Sequence, residues 1–273
     1  MTSAPTSEVA ATLEQPGRAG LRNALPAEWT KFWSVRSTPW SLFALVLVTI
    51  GLGILSTHAL STDQFGGADP VRRILVGFNF GQFAIGVLGV MFLSAEFGTG
   101  LIRSTLSAMP RRSVVLAAKS IVLAAVSMVI GEVLAFSTFF IGQAILSGTP
   151  HAVSFNQPGV MRVLIESGVY LALMSLIGLG LAAILRNTAG AIATFTGLVL
   201  IVTLIIDAMP KFIIDALSRF LPANIGATVF SVTAPPRLTN TPTFSPTVGL
   251  FVLAVYAAVL LTFGCWLMVR RDT

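Results

Sequence analysis

The sequence predicts an all-α integral membrane protein of six spans, on three observations. Hydrophobic residues make up 55% of the 273 positions and charged ones only 10%, with a mean hydropathy of +0.86; soluble domains carry about a quarter charged residues. Six apolar runs each reach the ~20 residues needed to cross ~30 Å of hydrocarbon as a helix. Lys and Arg gather at the ends of alternate runs. The net charge of +6 and pI near 10.4 therefore reflect basic flanks that fix topology, not a basic face for nucleic acid.

In chain order, residues 1–21 are small and polar, with Pro5 and Pro16, and read as a disordered cytoplasmic tail ahead of one membrane domain over 22–273. Leu25, Trp29, Phe32 and Trp33 then fall at i, i+4, i+7 and i+8, one side of a helix. Glu28 and Lys31 lie off that stripe, three apart, and can pair on the polar side. This is an interfacial helix. It reads either as an aromatic anchor for the first span or as an elbow that also touches a cytoplasmic partner.

The spans run from about Pro39 to Leu60, Ile74 to Ala95, Val114 to Ser147, Val163 to Leu185, Thr188 to Met209 and Thr247 to Val269. Helices are the open-ended element that satisfies its own backbone in lipid. The third run is too long for a simple span, so either its first turns stand in the cytoplasm or it kinks near Gly131. With the N-terminus inside, eleven of the seventeen Lys and Arg fall on cytoplasmic segments and six outside, Arg72 and Arg73 among the latter. Both termini are thus expected in the cytoplasm. Beyond span five, Ile213, Leu217 and Phe220 share one face of a short amphipathic helix after Pro210. Pro222 to Pro246 follow as an extended loop, an outer gate or a plain connection.

The polar insert between spans two and three is the most specific segment. Gly98 and Gly100 free the backbone for a turn, Leu101 to Met109 form a short helix, and Pro110 ends it. Arg111, Arg112 and Lys119 then meet the headgroup level.

Glu28-Trp-Thr-Lys31 with Arg36-Ser-Thr-Pro-Trp40, then Ala95-Glu-Phe-Gly-Thr-Gly100, Ile102-Arg-Ser-Thr105 and Pro110-Arg-Arg112 with Lys119, resemble the permease subunits of ABC-2 type transporters. The likeness is greatest to the six-span permeases common in high-GC Gram-positive bacteria, and it extends to Leu221-Pro-Ala-Asn224. The resemblance implies that the insert is a coupling helix. Glu96, Phe97, Gly98, Thr99, Gly100, Arg103 and Arg111 would be its contact or turn residues toward an ATPase subunit, and Glu28, Trp29, Lys31 and Trp33 would form the elbow. It further implies an exporter in the bacterial cytoplasmic membrane, working with a second permease copy.

No Gly-x-x-x-x-Gly-Lys-Ser/Thr occurs in the sequence, so ATP and magnesium are expected on a separate P-loop subunit and no cofactor on this chain. No metal-ligand spacing or nucleophile turn is present either, and the chain is expected not to be an enzyme. His58 and His151 each sit alone. Within the spans, Glu132 is the one deep acid, with Asn79, Gln82 and Gln143 as neutral polar groups. Charge in lipid costs at least ~2.5 kcal/mol, so Glu132 is either protonated or paired inside the bundle, or it is a substrate-path or proton-coupling residue, the three amides being further candidates for the path. An ion-gradient carrier coupled through Glu132 is the main rival function, and a scaffold or immunity protein is a third. Gly77-x-x-x-Gly81 and Gly178-x-x-x-Ala182 read as close helix packing.

Overall fold

The computed structural model describes residues 20–35, 37–62, 69–101, 111–233 and 242–270. Among these residues every regular element is helical, and six helices are long and apolar enough to cross a membrane. The chain is therefore a multi-pass membrane protein. A short helix α1 (Leu21–Ser34) precedes the spans α2 (Ser37–Ser61), α3 (Pro70–Thr99), α4 (Arg112–Leu146), α5 (Val160–Leu185) and α6 (Thr188–Asp207). Two short helices, α7 (Lys211–Leu217) and α8 (Pro222–Val229), lead into the last span, α9 (Pro246–Arg270). The spans agree with the apolar runs to within a few residues at nearly every end.

α5 is the hub, enclosed by α3, α4 and α9, and it is the most buried span, whereas α2 and α6 are the least. Glycine permits this closeness. A Cβ on Gly89 would fall 2.0 Å from the Ser175 carbonyl oxygen, and one on Gly178 2.3 Å from that of Gly86. The α3 and α5 backbones thus touch, as small residues allow between helices in lipid. Gly77 and Gly81 do the same for α3 against Thr49 of α2, which bears out the packing read from the Gly77 and Gly178 motifs.

Four expectations need correction. The third run is one 35-residue helix, about 52 Å long at 1.5 Å per residue, and its Lys119 is fully buried in protein, so it does not itself meet headgroups. Gly98 stays inside α3 in helical conformation; Gly100 alone makes the turn, with φ +74°. On the interfacial helix Glu28, expected on the polar side, is buried with Ala24 and Phe32, while Trp29 and Trp33 are half exposed. Finally, the stretch after Pro222 begins as helix α8, with the proline at its first turn, where a missing N–H costs nothing.

That last segment is re-entrant. The Tyr170 hydroxyl donates to the Pro222 carbonyl at 3.0 Å, and Tyr170 lies ten residues, about 15 Å, along α5 from Val160. The Tyr256 hydroxyl, ten residues along α9 from Pro246, reaches the Phe220 carbonyl at 3.2 Å. Farther on, Arg162 donates to the Ser231 carbonyl at 3.0 Å, near the start of α5. The chain thus reaches the bundle interior at Leu221 and leaves along α8, which packs on α5 and α9. Leu221, the non-helical residue ahead of α8, and Pro222, the first residue of α8, are both buried in protein.

Candidate functional site: an ion-paired junction of α1, α3 and α4

At the end of α3, seven residues into α4 and midway along α1, four charged side chains meet. Lys119 is fully buried, and its ammonium lies 2.6 Å from Glu28 Oε2, 2.9 Å from Glu96 Oε1 and 3.2 Å from the Phe92 carbonyl oxygen. The Phe92 ring centroid is 3.9 Å away. An ammonium has three donors, and here three oxygens surround it. Lys31, about one-third exposed, closes the group at 2.9 Å from Glu28 Oε1 and 3.3 Å from Glu96 Oε1. Two acids and two bases leave no net charge.

The local sequence explains the convergence. Ala24, Glu28 and Phe32 recur every four residues, so one face of α1 lies against α4, and Phe32 packs edge-on to Phe92 at 5.1 Å. Glu96 follows Phe92 by one turn on α3 and so lies on the same face. Burial of Lys31 would lower its pKa, but its hydrogen bond to Glu28 and the Glu96 and Glu28 charges outweigh that and raise it. Four buried or half-buried charges are tolerable because each finds an opposite; removing one leaves the rest uncompensated.

Around this junction the same end of the bundle is stitched further. The Arg112 guanidinium donates to the Met268 carbonyl. Arg186, in left-handed conformation at the end of α5, stacks 5.5 Å over the Phe97 ring and reaches the Leu267 carbonyl at 3.4 Å. Asn187 then caps α6 through Gly190 N–H at 2.7 Å.

Of the residues expected to meet a partner, Glu28, Lys31 and Glu96 are brought together, but within this chain: Glu96 is only 6% exposed. Its carboxylate does not stand on an outer surface as expected. Phe97 is half buried under Arg186, whereas Gly98, Thr99, Gly100 and Arg111 are exposed. Arg103 and the predicted helix beyond Leu101 lie outside the described residues. The four expected path residues are not gathered. Gln82 donates to the Asn79 carbonyl at 2.6 Å and accepts from the Tyr170 hydroxyl at 2.5 Å, so its amide is engaged. Asn79 donates to the Val76 carbonyl, and Gln143 lies eleven residues beyond Glu132. Glu132 presses on Gly168, where a Cβ would meet its Oε1 at 2.7 Å, and that oxygen is buried without a hydrogen bond.

Sequence reasoning missed the role of Lys119 and missed Glu166 and Tyr170 altogether. Lys119 had a signal, since a lysine inside Val114-Val-Leu-Ala-Ala-Lys-Ser-Ile-Val must find an acid. Glu166 pairs with Arg162 at 2.8 Å and accepts from Thr247 at 2.9 Å, tying α5 to α9. The i, i+4 spacing of Arg162 and Glu166 was readable. Neither a family model nor a curated protein matches the sequence.

Proposed function

We propose that this chain is the permease subunit of an ATP-driven, ABC-2 type exporter, in which a separate P-loop subunit docks on the segment between α3 and α4. The observation that carries the reading is the junction of Glu28, Lys31, Glu96 and Lys119. It binds α1, α3 and α4 into one unit close to the α3 and α4 ends between which residues 102–110 are connected, so a push passed into those ends would reach two spans and the interfacial helix together. A buried network of opposite charges resists splaying of those helices, because parting them would strand the carboxylates. The motifs from Glu28 to Lys119 and the cationic flanks support the same assignment, with both termini in the cytoplasm and two copies completing a membrane domain.

Under this reading Glu96 and Glu28 set the frame, while Gly100, Arg103 and Arg111 meet the ATPase. ATP and magnesium belong to that other chain. The test is whether a P-loop ATPase is held through the 102–110 segment: Arg103→Glu should release it from the inserted permease, and Arg237→Glu should not.

A further inference from the structure

At the end of the bundle opposite the charged junction, two adjoining pockets lie along α8. Arg162, near the start of α5, lines the larger one, whereas Arg186, beside the junction, ends that helix about 36 Å away. The larger pocket holds about 230 Å³ and the smaller about 10 Å³, room for one water-sized group. Thr228 of α8, Thr243 and Phe244 border both, and Arg219 lines the smaller with Asn224.

The two guanidiniums differ in their partners. Arg162 is engaged within the protein, donating to Glu166 at 2.8 Å and to the Ser231 carbonyl at 3.0 Å. Arg219 lies 5.1 Å from the Phe220 ring centroid and 5.6 Å from that of Phe244, and its Nε is buried without a hydrogen bond. Among the described residues no carboxylate pairs with it. Asp215, one turn earlier, leaves its own Oδ1 buried and unbonded. A buried cationic N–H without an acceptor is destabilising, and the planar guanidinium is matched best by an oxyanion. The space beside Arg219 admits the oxygen of a planar carboxylate but not the tetrahedron of a phosphate.

The larger pocket says what else the ligand carries. Thr228, Ser231, Thr233, Thr243 and Ser245 line it with hydroxyls. Three of these have committed their proton: Thr228 donates to the Ile225 carbonyl at 2.8 Å, Ser231 to the Ala227 carbonyl and Thr233 to Asp69 at 3.2 Å. A hydroxyl has one proton and two lone pairs, so these three remain as acceptors. They suit a ligand that brings O–H donors of its own.

We infer that the two pockets form one binding site for a small hydroxylated carboxylate, its carboxylate on Arg219 and its hydroxyls on the acceptors of the larger pocket. At 230 Å³ that pocket is about half as large again as the ~150 Å³ cavity that takes up a benzene, which sets the ligand at roughly ten non-hydrogen atoms. The site stands whether or not the chain works with an ATPase.

The test follows binding to the full chain in detergent by saturation-transfer NMR. L-Threonate is the probe, erythritol its uncharged match and butyrate the anion without hydroxyls. Threonate should bind, and the other two should each bind about tenfold more weakly or not at all. Arg219→Gln should weaken threonate binding by about tenfold or more, and Thr228→Val severalfold. Arg270→Gln, at the far end of α9, should leave it unchanged. The comparison of three probes on wild type needs no variant, so a misfolded Arg219→Gln leaves the question decided. Absence of threonate binding would overturn the site. Erythritol binding as tightly as threonate, or full binding by folded Arg219→Gln, would overturn the carboxylate seat. Butyrate binding as tightly as threonate would overturn the hydroxyl selection.

Discussion

Replacing Lys119 by Met removes the one fully buried cation of the junction while keeping its aliphatic length. Glu28 and Glu96 then stay buried, at 2% and 6% exposure, with only Lys31 to compensate them. Deleting one partner of a buried pair costs ~3–5 kcal/mol. Lys119 serves two carboxylates, but Lys31 remains within 3.3 Å of both, so the lower half of that range is the working figure. At the ~2–4 °C per kcal/mol of a chain of this size, the melting temperature in detergent should fall by about 6–15 °C. The triple variant Lys119→Met with Glu28→Gln and Glu96→Gln removes the stranded charges and should recover a large part of the loss. Thermal melting followed by intrinsic fluorescence checks both, with Lys211→Met as the exposed control. A melting point for Lys119→Met within about 1 °C of wild type, or a triple variant worse than the single one, would refute the buried-pair argument.

Two further outcomes follow from the same end of the molecule. Gly98→Ala should be neutral or slightly stabilising, because Gly98 is helical and nothing lies within 4 Å of an added Cβ; Gly100→Ala should cost about 1 kcal/mol, because φ +74° suits glycine, and paired melting curves distinguish them. The Lys31 pKa is raised above 10.5 in the folded chain. Its stabilising contribution is therefore full below about 10.5 and lost as pH rises through the folded value. Melting temperatures measured across that alkaline window should drop more for wild type than for Lys31→Met, and identical profiles would remove Lys31 from the junction.

Much of the architecture was legible from hydropathy because a membrane leaves few options. A run of twenty apolar residues must be a helix, and glycines at i, i+4 within it mark where another helix comes close. What failed was the assignment of faces. On α1 Glu28 was placed on the polar side with Lys31, yet it is buried, while Trp29 and Trp33 are half exposed. Apolar periodicity ranks residues by affinity for oil, and lipid rewards an exposed tryptophan as well as a protein core does. The inward carboxylate became intelligible only with Lys119, which lies 91 residues away in sequence. The α8 helix was hidden by the prolines of residues 222–246, which read as loop signals although Pro222 sits at a helix start. Gly100 was placed correctly, whereas Gly98 was not, since a glycine codon carries no record of whether its φ is positive.

The measurement that bears most directly on the proposed coupling is site-directed cross-linking. Cys265 is the single cysteine, so Cys265→Ser gives a silent background. Into it Arg103→Cys and Arg237→Cys are introduced separately, and native membranes are treated with a short bifunctional thiol–amine reagent. The account predicts that position 103 captures a P-loop ATPase, that position 237 does not, and that added ATP changes the yield at 103. No ATPase at position 103 in membranes where the permease is inserted and folded, or equal capture at both positions, would contradict it.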